Sequence, residues 1–159
     1  MGNQTKYGYD AANELIAVTD ALGHITQYKY DDLGRQVEVK DANAQSSRTE
    51  YDKVGNVTAI IDPKGNRTEY TYDALNRRVK IKDASSSITQ TVYDKVGNIL
   101  SVTDPLNHTQ SFSYDALDRR TSVTDALNHT STIGYDKVGN IKTTTDALKI
   151  GRASCRERV

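Results

Sequence analysis

The chain has 159 residues, 36% of them hydrophobic, no tryptophan and a mean hydropathy of −0.68, so the sequence predicts one domain-sized chain with a thin core. The 21 basic and 21 acidic side chains cancel and form no basic stripe, which argues against binding to nucleic acid or an anionic membrane through charge. No apolar run approaches the ~20 residues of a membrane-spanning helix, and no signal peptide is visible.

A 21-residue repeat runs through the chain. Tyr-Asp pairs begin at 9, 30, 51, 72, 93, 114 and 135, and with this tyrosine as position 1 an aspartate stands at position 12 of every unit. Repeats of this length indicate stacked supersecondary units. We expect the structural repeat to rest on three sets of residues: Tyr9, Tyr30, Tyr51, Tyr72, Tyr93, Tyr114 and Tyr135; Asp20, Asp41, Asp62, Asp83, Asp104, Asp125 and Asp146; and Gly34, Gly55, Gly97 and Gly139.

Each unit contains two turns of the form Asp-x-x-Gly, as at residues 52–55 and 62–65. An aspartate at the first place of a type I turn accepts local backbone N–H bonds, and glycine, asparagine or aspartate at the fourth place tolerates positive φ. A type I turn followed by such a residue is the bulged hairpin connection. Ala44 and Ser86 occupy the fourth place in two turns, which we expect to be looser.

The segments between the turns alternate with period two, which predicts strands. Val37 and Val39 alternate with polar neighbours, and Thr26, Tyr28 and Tyr30 share one face of the following strand. The fold class is therefore all-β, with tandem 21-residue β-hairpins in one solenoid-like antiparallel sheet. Seven hairpins make about fourteen strands, and open sheets of more than ~10 strands curl or close, so we expect strong curvature.

The units also alternate. The hexapeptide Tyr-Asp-Lys-Val-Gly-Asn returns every 42 residues, at 51–56, 93–98 and 135–140, whereas the units between them place an arginine at the sixth position. The true period is therefore expected to be a pair of hairpins.

The two ends depart from the repeat. The seven repeats span residues 1–148 and start in mid-unit, because Gly2 aligns with Gly65, whereas "IGRASCRERV" at the end matches no repeat position. These ten residues resemble the translation of a common sequencing-library adapter, so we expect 149–159 to be a non-native tail; a natural basic tail is the alternative. We expect the chain to be a fragment of a longer protein.

Three groups of side chains have both a binding and a structural interpretation. The histidines at position 16 could hold a metal or flank a polar turn, and the aspartates could bind calcium or cap turns. The tyrosines could stack on sugars or form the buried apolar face, and the structural interpretation is favoured in each case. Serine, histidine and aspartate recur with the repeat and form no unique cluster. We therefore predict no catalytic, cofactor or metal site and no enzyme activity. The histidines are His24, His108 and His129.

The segments "YDALNRRVKIKDA", "YDKVGNILSVTDPLNHT" and "YDALDRRTSVTDALNHT" resemble the YD repeats of the Rhs family, and the resemblance spans residues 2–148. It implies a hollow β-shell of the kind found in bacterial polymorphic toxins, insecticidal toxin complexes and wall-associated surface proteins. The implied role is to enclose a C-terminal toxin domain. The implied partners are the remaining repeats, a core segment and that domain, with no cofactor.

The resemblance also implies a secreted or cell-surface location. The alternative function is a cell-surface or wall-associated module that binds a glycan through exposed tyrosine and asparagine ladders. Solvent exposure of the tyrosines at positions 1 and 20 distinguishes the two.

Overall fold

The structure is a computed structural model that describes residues 4–147. The start of the array at Met1 and the tail at 149–159 lie outside the described residues. Within them there is no helix, and tight turns join fourteen strands. The strands are β1 (Lys6–Tyr9), β2 (Leu15–Thr19), β3 (Ile25–Tyr30), β4 (Gln36–Lys40), β5 (Ser46–Tyr51), β6 (Val57–Ile61), β7 (Arg67–Tyr72), β8 (Arg78–Lys82), β9 (Ile88–Tyr93), β10 (Ile99–Thr103), β11 (Thr109–Tyr114), β12 (Arg120–Thr124), β13 (Thr130–Tyr135) and β14 (Ile141–Thr145).

The strands follow one another in the sheet in chain order, from β1 to β14. This confirms the predicted all-β fold of tandem antiparallel hairpins. The backbone groups into two compact units, one made of Met1–Arg77 with Ile81–Ser86 and the other of Arg78–Lys80 with Ser87–Val159. The curvature expected from the number of strands stays a prediction.

The hairpins of each unit differ in register at their two kinds of turn. In the hairpin of β3 and β4, Lys29 lies opposite Glu38 and Tyr30 lies opposite Gln36, so Val37 is an extra residue. The same one-residue bulge recurs beside the first turn of the hairpin formed by β11 and β12. At the second turn the pairing is regular, as where Val18 lies opposite Thr26. A bulge of this kind increases the local twist of the strand pair.

The turns have the predicted bulged geometry. In all thirteen turns of the described residues the fourth residue has positive φ, between 58° and 110°. In one of them, Gly34 donates its N–H to the carbonyl of Asp31 at 2.9 Å, and Asp31 donates its N–H to the carbonyl of Arg35 at 3.0 Å. These two bonds close a type I turn whose last residue is left-handed.

The expectation that Ala44 and Ser86 make looser turns is wrong. Their φ values are 63° and 68°, and their N–H groups donate to the carbonyls of Asp41 and Asp83 at 3.0 Å. The ladders on both sides and the aspartate at the head of the turn hold the backbone in the left-handed region. The cost of that conformation is therefore present as strain and not as an open turn.

The sheet is a single layer, and the thin core that the composition predicts is confirmed. Ala59 is the one fully buried hydrophobic residue among those described. One face, here called the tyrosine face, carries pairs such as Tyr28 opposite Val39. The other, the polar face, carries pairs such as Lys29 opposite Glu38. Since no second layer covers either face, stability has to come from the ladders, the turns and contacts between neighbouring strands.

Candidate functional site

The aspartate at the head of each turn is the local building block of the repeat. In every one of the thirteen turns its Oδ1 accepts the N–H two residues further on, as Asp104 does from Leu106 at 2.8 Å. In most turns the same oxygen also accepts the N–H four residues on, as from His108 at 2.9 Å. The turn therefore leaves few unsatisfied donors, which is why aspartate recurs at this place.

The side chain at the fifth place of the turn binds the second carboxylate oxygen. Nδ1 of His24, His108 and His129 lies 2.8, 2.9 and 3.0 Å from Oδ2 of the aspartate four residues earlier. Each histidine thus pairs within its own turn, as the polar-flank interpretation expects. Among residues 4–147 no group of three or more histidine, cysteine, aspartate and glutamate side chains could hold a metal ion.

These bonds lower the pKa of many turn carboxyls. The main-chain N–H of His108 lowers the pKa of Asp104, and the imidazole of the same residue adds to the effect. The Arg35 guanidinium lowers the pKa of Asp31. Each bond is made to the ionised carboxylate, so it favours the charged form.

The tyrosines at position 1 reach the neighbouring strand. Tyr114 donates its hydroxyl to the carbonyl of Ile99 at 3.0 Å, and from Tyr30 onward every position-1 tyrosine makes the same bond to the residue 15 positions earlier. The acceptor is the first residue of a strand that follows a first turn. The bond therefore ties each hairpin to the one before it, at 2.9–3.2 Å.

Sequence reasoning missed this bond. The signal was present, because position 1 is tyrosine in all seven units, whereas position 20 also takes threonine, phenylalanine and isoleucine. The rings from Tyr28 to Tyr135 are half-buried, and only Tyr7 and Tyr9 of β1 are more than half exposed, at 60% and 55%.

The alternation of the units has a structural basis at the first turns. Arg35 donates from Nη1 to the carbonyl of Asp52 at 2.8 Å, and its guanidinium lies 4.7 Å from the centre of the Tyr51 ring. Arg119 likewise stacks 4.5 Å above the Tyr135 ring. In this arrangement an arginine-type turn holds the asparagine-type turn that follows it by a hydrogen bond and a cation–π contact.

The asparagine-type turn holds the next arginine-type turn in a different way. Asn56 donates from Nδ2 to Oδ1 of Asn76 at 2.9 Å, and Asn98 donates to Oδ1 of Asp118 at 2.8 Å. The acceptor is the left-handed residue of the following turn. Because each type of turn clasps the other type, the pair of hairpins is the structural period, as the 42-residue spacing predicts.

The polar face differs between the two units. In the first, Arg67 binds Glu50 through both guanidinium nitrogens at 2.6 and 2.7 Å and Glu69 through Nε at 3.1 Å. Lys82 completes this network, 3.3 Å from Glu69. A shallow polar groove beside the network is lined by these paired side chains, and an equivalent groove 42 residues earlier is lined by Gln27 and Lys40.

In the second unit, strands β10 to β14 carry serine and threonine on the polar face. Thr103 and Thr109 join their hydroxyls across a hairpin at 2.8 Å, and Thr124 and Thr130 do the same at 2.8 Å. Neither polar face brings an acid, a base and a nucleophile together in unequal roles. The arrangement supports strand pairing and shows no catalytic constellation within the described residues.

The remaining residues of the predicted repeat set occupy equivalent places. Gly34, Gly55, Gly97 and Gly139 have φ of 72°, 102°, 110° and 95° at the fourth place of first turns. Asp146 follows β14 directly. In residues 4–147 no helix is long and apolar enough to cross a membrane.

Comparison with solved structures shows the same fold. A crystal structure of TcdB2-TccC3-Cdc42 superposes with a TM-score of 0.68 at 20% identity, over 98% of this chain and 9% of that one. TcdB2-TccC3 without its hypervariable C-terminal region has a TM-score of 0.68 at 19% identity, over 96% and 9%. The Photorhabdus luminescens Tc holotoxin pore, with a TccC3 variant, has 0.68 at 20%, over 93% and 9%. The chain thus spans about a tenth of the length of these proteins.

Sequence comparison identifies the family. Among curated proteins no sequence matches. The profile of the RHS Repeat family matches three segments, residues 9–46, 51–88 and 93–130, which together make up more than half of the chain. Each segment begins at a position-1 tyrosine and covers one pair of hairpins. The chain therefore belongs to the RHS repeat family.

Proposed function

We propose that the chain is a wall segment of an Rhs-like β-shell, which encloses a C-terminal toxin or effector domain of a longer protein. The segment has no catalytic activity of its own. Its task is to supply an uninterrupted sheet whose strands, turns and neighbouring hairpins are joined by the repeat itself.

The observation that carries this proposal is the uniform meander. Fourteen strands follow in chain order without an insertion, and 93–98% of the chain superposes on TcdB2-TccC3 structures. The polar side chains of the turns bind one another and the backbone. A wall needs continuity, whereas an enzyme needs one place that differs from the rest.

The tyrosines favour the structural role over glycan binding. A sugar-binding platform needs an aromatic ring with an open face, whereas from Tyr28 onward the rings are half-buried. The position-1 hydroxyls of this part of the chain donate to backbone carbonyls, as in Tyr72 to Val57 at 2.9 Å. A wall-associated glycan-binding module stays the alternative function, and no contact of these tyrosines specifically favours it.

We propose a secreted or surface-delivered bacterial protein as the full-length molecule. The titles of the similar structures name a Tc holotoxin pore and a hypervariable C-terminal region, which are properties of those proteins. Their shared fold makes a comparable C-terminal domain the first thing to look for in the full gene.

The test is recovery of the full-length gene, read through residue 148. We expect further repeats, a core segment and a variable C-terminal domain. In the expressed full-length protein, that domain should resist trypsin for as long as the repeats stay folded. A stop codon or a wall anchor within a few repeats would leave nothing to enclose. Binding of the chain to a panel of cell-wall glycans would then support the alternative.

A further inference from the structure

The tips of the first turns carry exposed aliphatic side chains. At the third place of these turns stand three residues in the first unit and three in the second, each between 63% and 84% exposed. We call these six side chains the first-turn tips: Leu33, Val54 and Leu75 in the first unit, and Val96, Leu117 and Val138 in the second.

Turn chemistry does not account for these residues. The aspartate at the first place accepts backbone bonds, the fourth residue supplies positive φ, and the fifth binds the aspartate and the next turn. The third place of a type I turn makes no such demand, and loop positions of this kind are usually polar. Their exposure also excludes a role in the core. Six aliphatic side chains at one repeat position therefore require another explanation.

The spacing of the first-turn tips indicates what kind of surface would cover them. Within one unit, consecutive first turns are two strands apart, which places successive tips on the order of 10 Å apart. A partner that covers three such tips at once needs apolar side chains at the same interval. Another run of this repeat has that interval by construction, whereas an unrelated globular surface does not.

The opposite turns match less well. At the corresponding place of the second turns only Leu22, Leu106 and Leu127 are exposed aliphatic residues, and the other second turns carry Asn43, Lys64 or Ser85 there. First turns therefore complement first turns best, and such a pairing is isologous and closes as a dimer. The formal net charge of zero adds no long-range repulsion between copies.

We propose that the first-turn tips form a docking surface for a second copy of this chain, with the first turns of one copy packed against those of the other. The pairing buries the aliphatic tips and leaves the hydrogen bonds of the turns intact. It does not depend on what a shell encloses, and a failure of the proposed shell function would leave it standing.

The test is sedimentation equilibrium of the 159-residue chain at rising concentration, together with two variants. In the first variant all six first-turn tips are changed to asparagine, which type I turns accept. In the second, the matched control, the exposed second-turn leucines are changed (L22N, L106N, L127N). We expect a monomer–dimer equilibrium for the parent and for the control. For the first variant we expect association at least about tenfold weaker, with an unchanged β-sheet circular dichroism spectrum.

Three results would overturn the proposal: a monomeric parent at every concentration, unchanged association of the first variant, or equal weakening in both variants. Pairing through the free edges of β1 or β14 would give the second result, because those strands are untouched. If the six-fold variant fails to fold, V54T/V96T/V138T serves in its place. It keeps the β-branched shape, and it must still weaken association.

Discussion

The aspartates that head the turns do more than favour a turn, because one carboxylate satisfies two backbone donors and one side chain. Asp104 accepts from Leu106 and His108 through Oδ1 and binds the His108 ring through Oδ2. Removing it would leave three groups without their partner in one turn. The neighbouring ladder bonds would remain.

We expect Asp104→Ala to lower the melting temperature by about 2–4 °C, since the turn loses its cap but not its ladder. Asp104→Asn is the matched control, because its amide oxygen can still accept from both N–H groups, and it should lie between the parent and the alanine variant. Thermal unfolding followed by circular dichroism measures both. A melting temperature of Asp104→Ala equal to that of the parent would refute the capping role.

The lowered pKa values predict acid lability. Main-chain and side-chain donors lower the folded-state pKa of Asp104 and Asp31 below the unfolded value, which is about 3.9 for aspartate. Their stabilisation is thus fully present above the unfolded pKa and is lost as the pH falls through the lower folded values. Glu14 acts in the opposite sense, because burial and the charge of Asp10 raise its pKa.

We therefore expect a melting temperature that changes little between about pH 7 and pH 5 and falls steeply below about pH 4. A series of thermal scans in buffers of constant ionic strength tests this. If the melting temperature at about pH 2 equals that at pH 7, the turn carboxylates do not contribute as the structure indicates.

The tyrosine hydroxyl can be tested without disturbing its ring. Tyr114→Phe removes the bond to the Ile99 carbonyl and should cost about 1 kcal/mol of unfolding free energy. Tyr7→Phe is the matched control, since Tyr7 is 60% exposed, and should change the free energy by less than about 0.5 kcal/mol. Urea unfolding measures both. Equal effects of the two substitutions would show that the hydroxyl bond contributes nothing specific.

At this scale the sequence predicts what is local and misses what depends on register. The turn roles of Asp62 and Gly65 follow from residues three apart, so turn rules suffice. The bond from Tyr72 to Val57 joins residues 15 apart on neighbouring strands. Its existence depends on the bulge beside the first turn, which shifts the pairing by one residue. No composition or spacing rule contains that shift.

Among the elements, the turn with Ala44 shows how the hairpin overrides residue preference. Its φ of 63° is unfavourable for alanine, yet the turn keeps both closing hydrogen bonds, at 2.9 and 3.0 Å. Sequence reasoning predicted a looser turn because it weighed the residue alone. The ladders and the Asp41 cap decide the geometry, and the alanine bears the strain.

Ala44→Gly should accordingly stabilise the chain by up to about 1 kcal/mol, because the gain from relieved left-handed strain exceeds the backbone entropy cost of glycine. Ala42→Gly, in the same turn but without positive φ, is the control and should destabilise by about 0.4–1 kcal/mol. Denaturant titrations of the two variants decide the matter. Destabilisation by Ala44→Gly would mean that the left-handed conformation bears no strain.

The alternation of the hairpins lies between the predictable and the unpredictable. The 42-residue recurrence is visible in the sequence, and the expected pair of hairpins is what the clasps of Arg35 and Asn56 produce. The partners of these side chains lie in the next turn, 17 and 20 residues away. Sequence reasoning could therefore find the period but not the contacts that cause it.

For the molecule as a whole, strand number, strand order and fold class follow from the sequence because every element is specified within about ten residues. The strict 21-residue spacing leaves no room for a crossover, so the meander is the simplest arrangement. What the sequence could not supply is the surface left over once the repeat is satisfied. The exposed tips, such as Val96 at 72%, are visible only when every other side chain has been placed.

Pairing of every strand with its sequence neighbours has a consequence for the time course of folding. Low contact order speeds folding, and short loops cost little closure entropy, so this sheet should refold faster than β-sandwiches of similar length, which take milliseconds to seconds. Stopped-flow refolding from urea would show it. On the ribosome, each new 21-residue unit can pair with the strand already formed as soon as it emerges. A long array of this kind can thus be laid down in the order of its synthesis, without waiting for its far end.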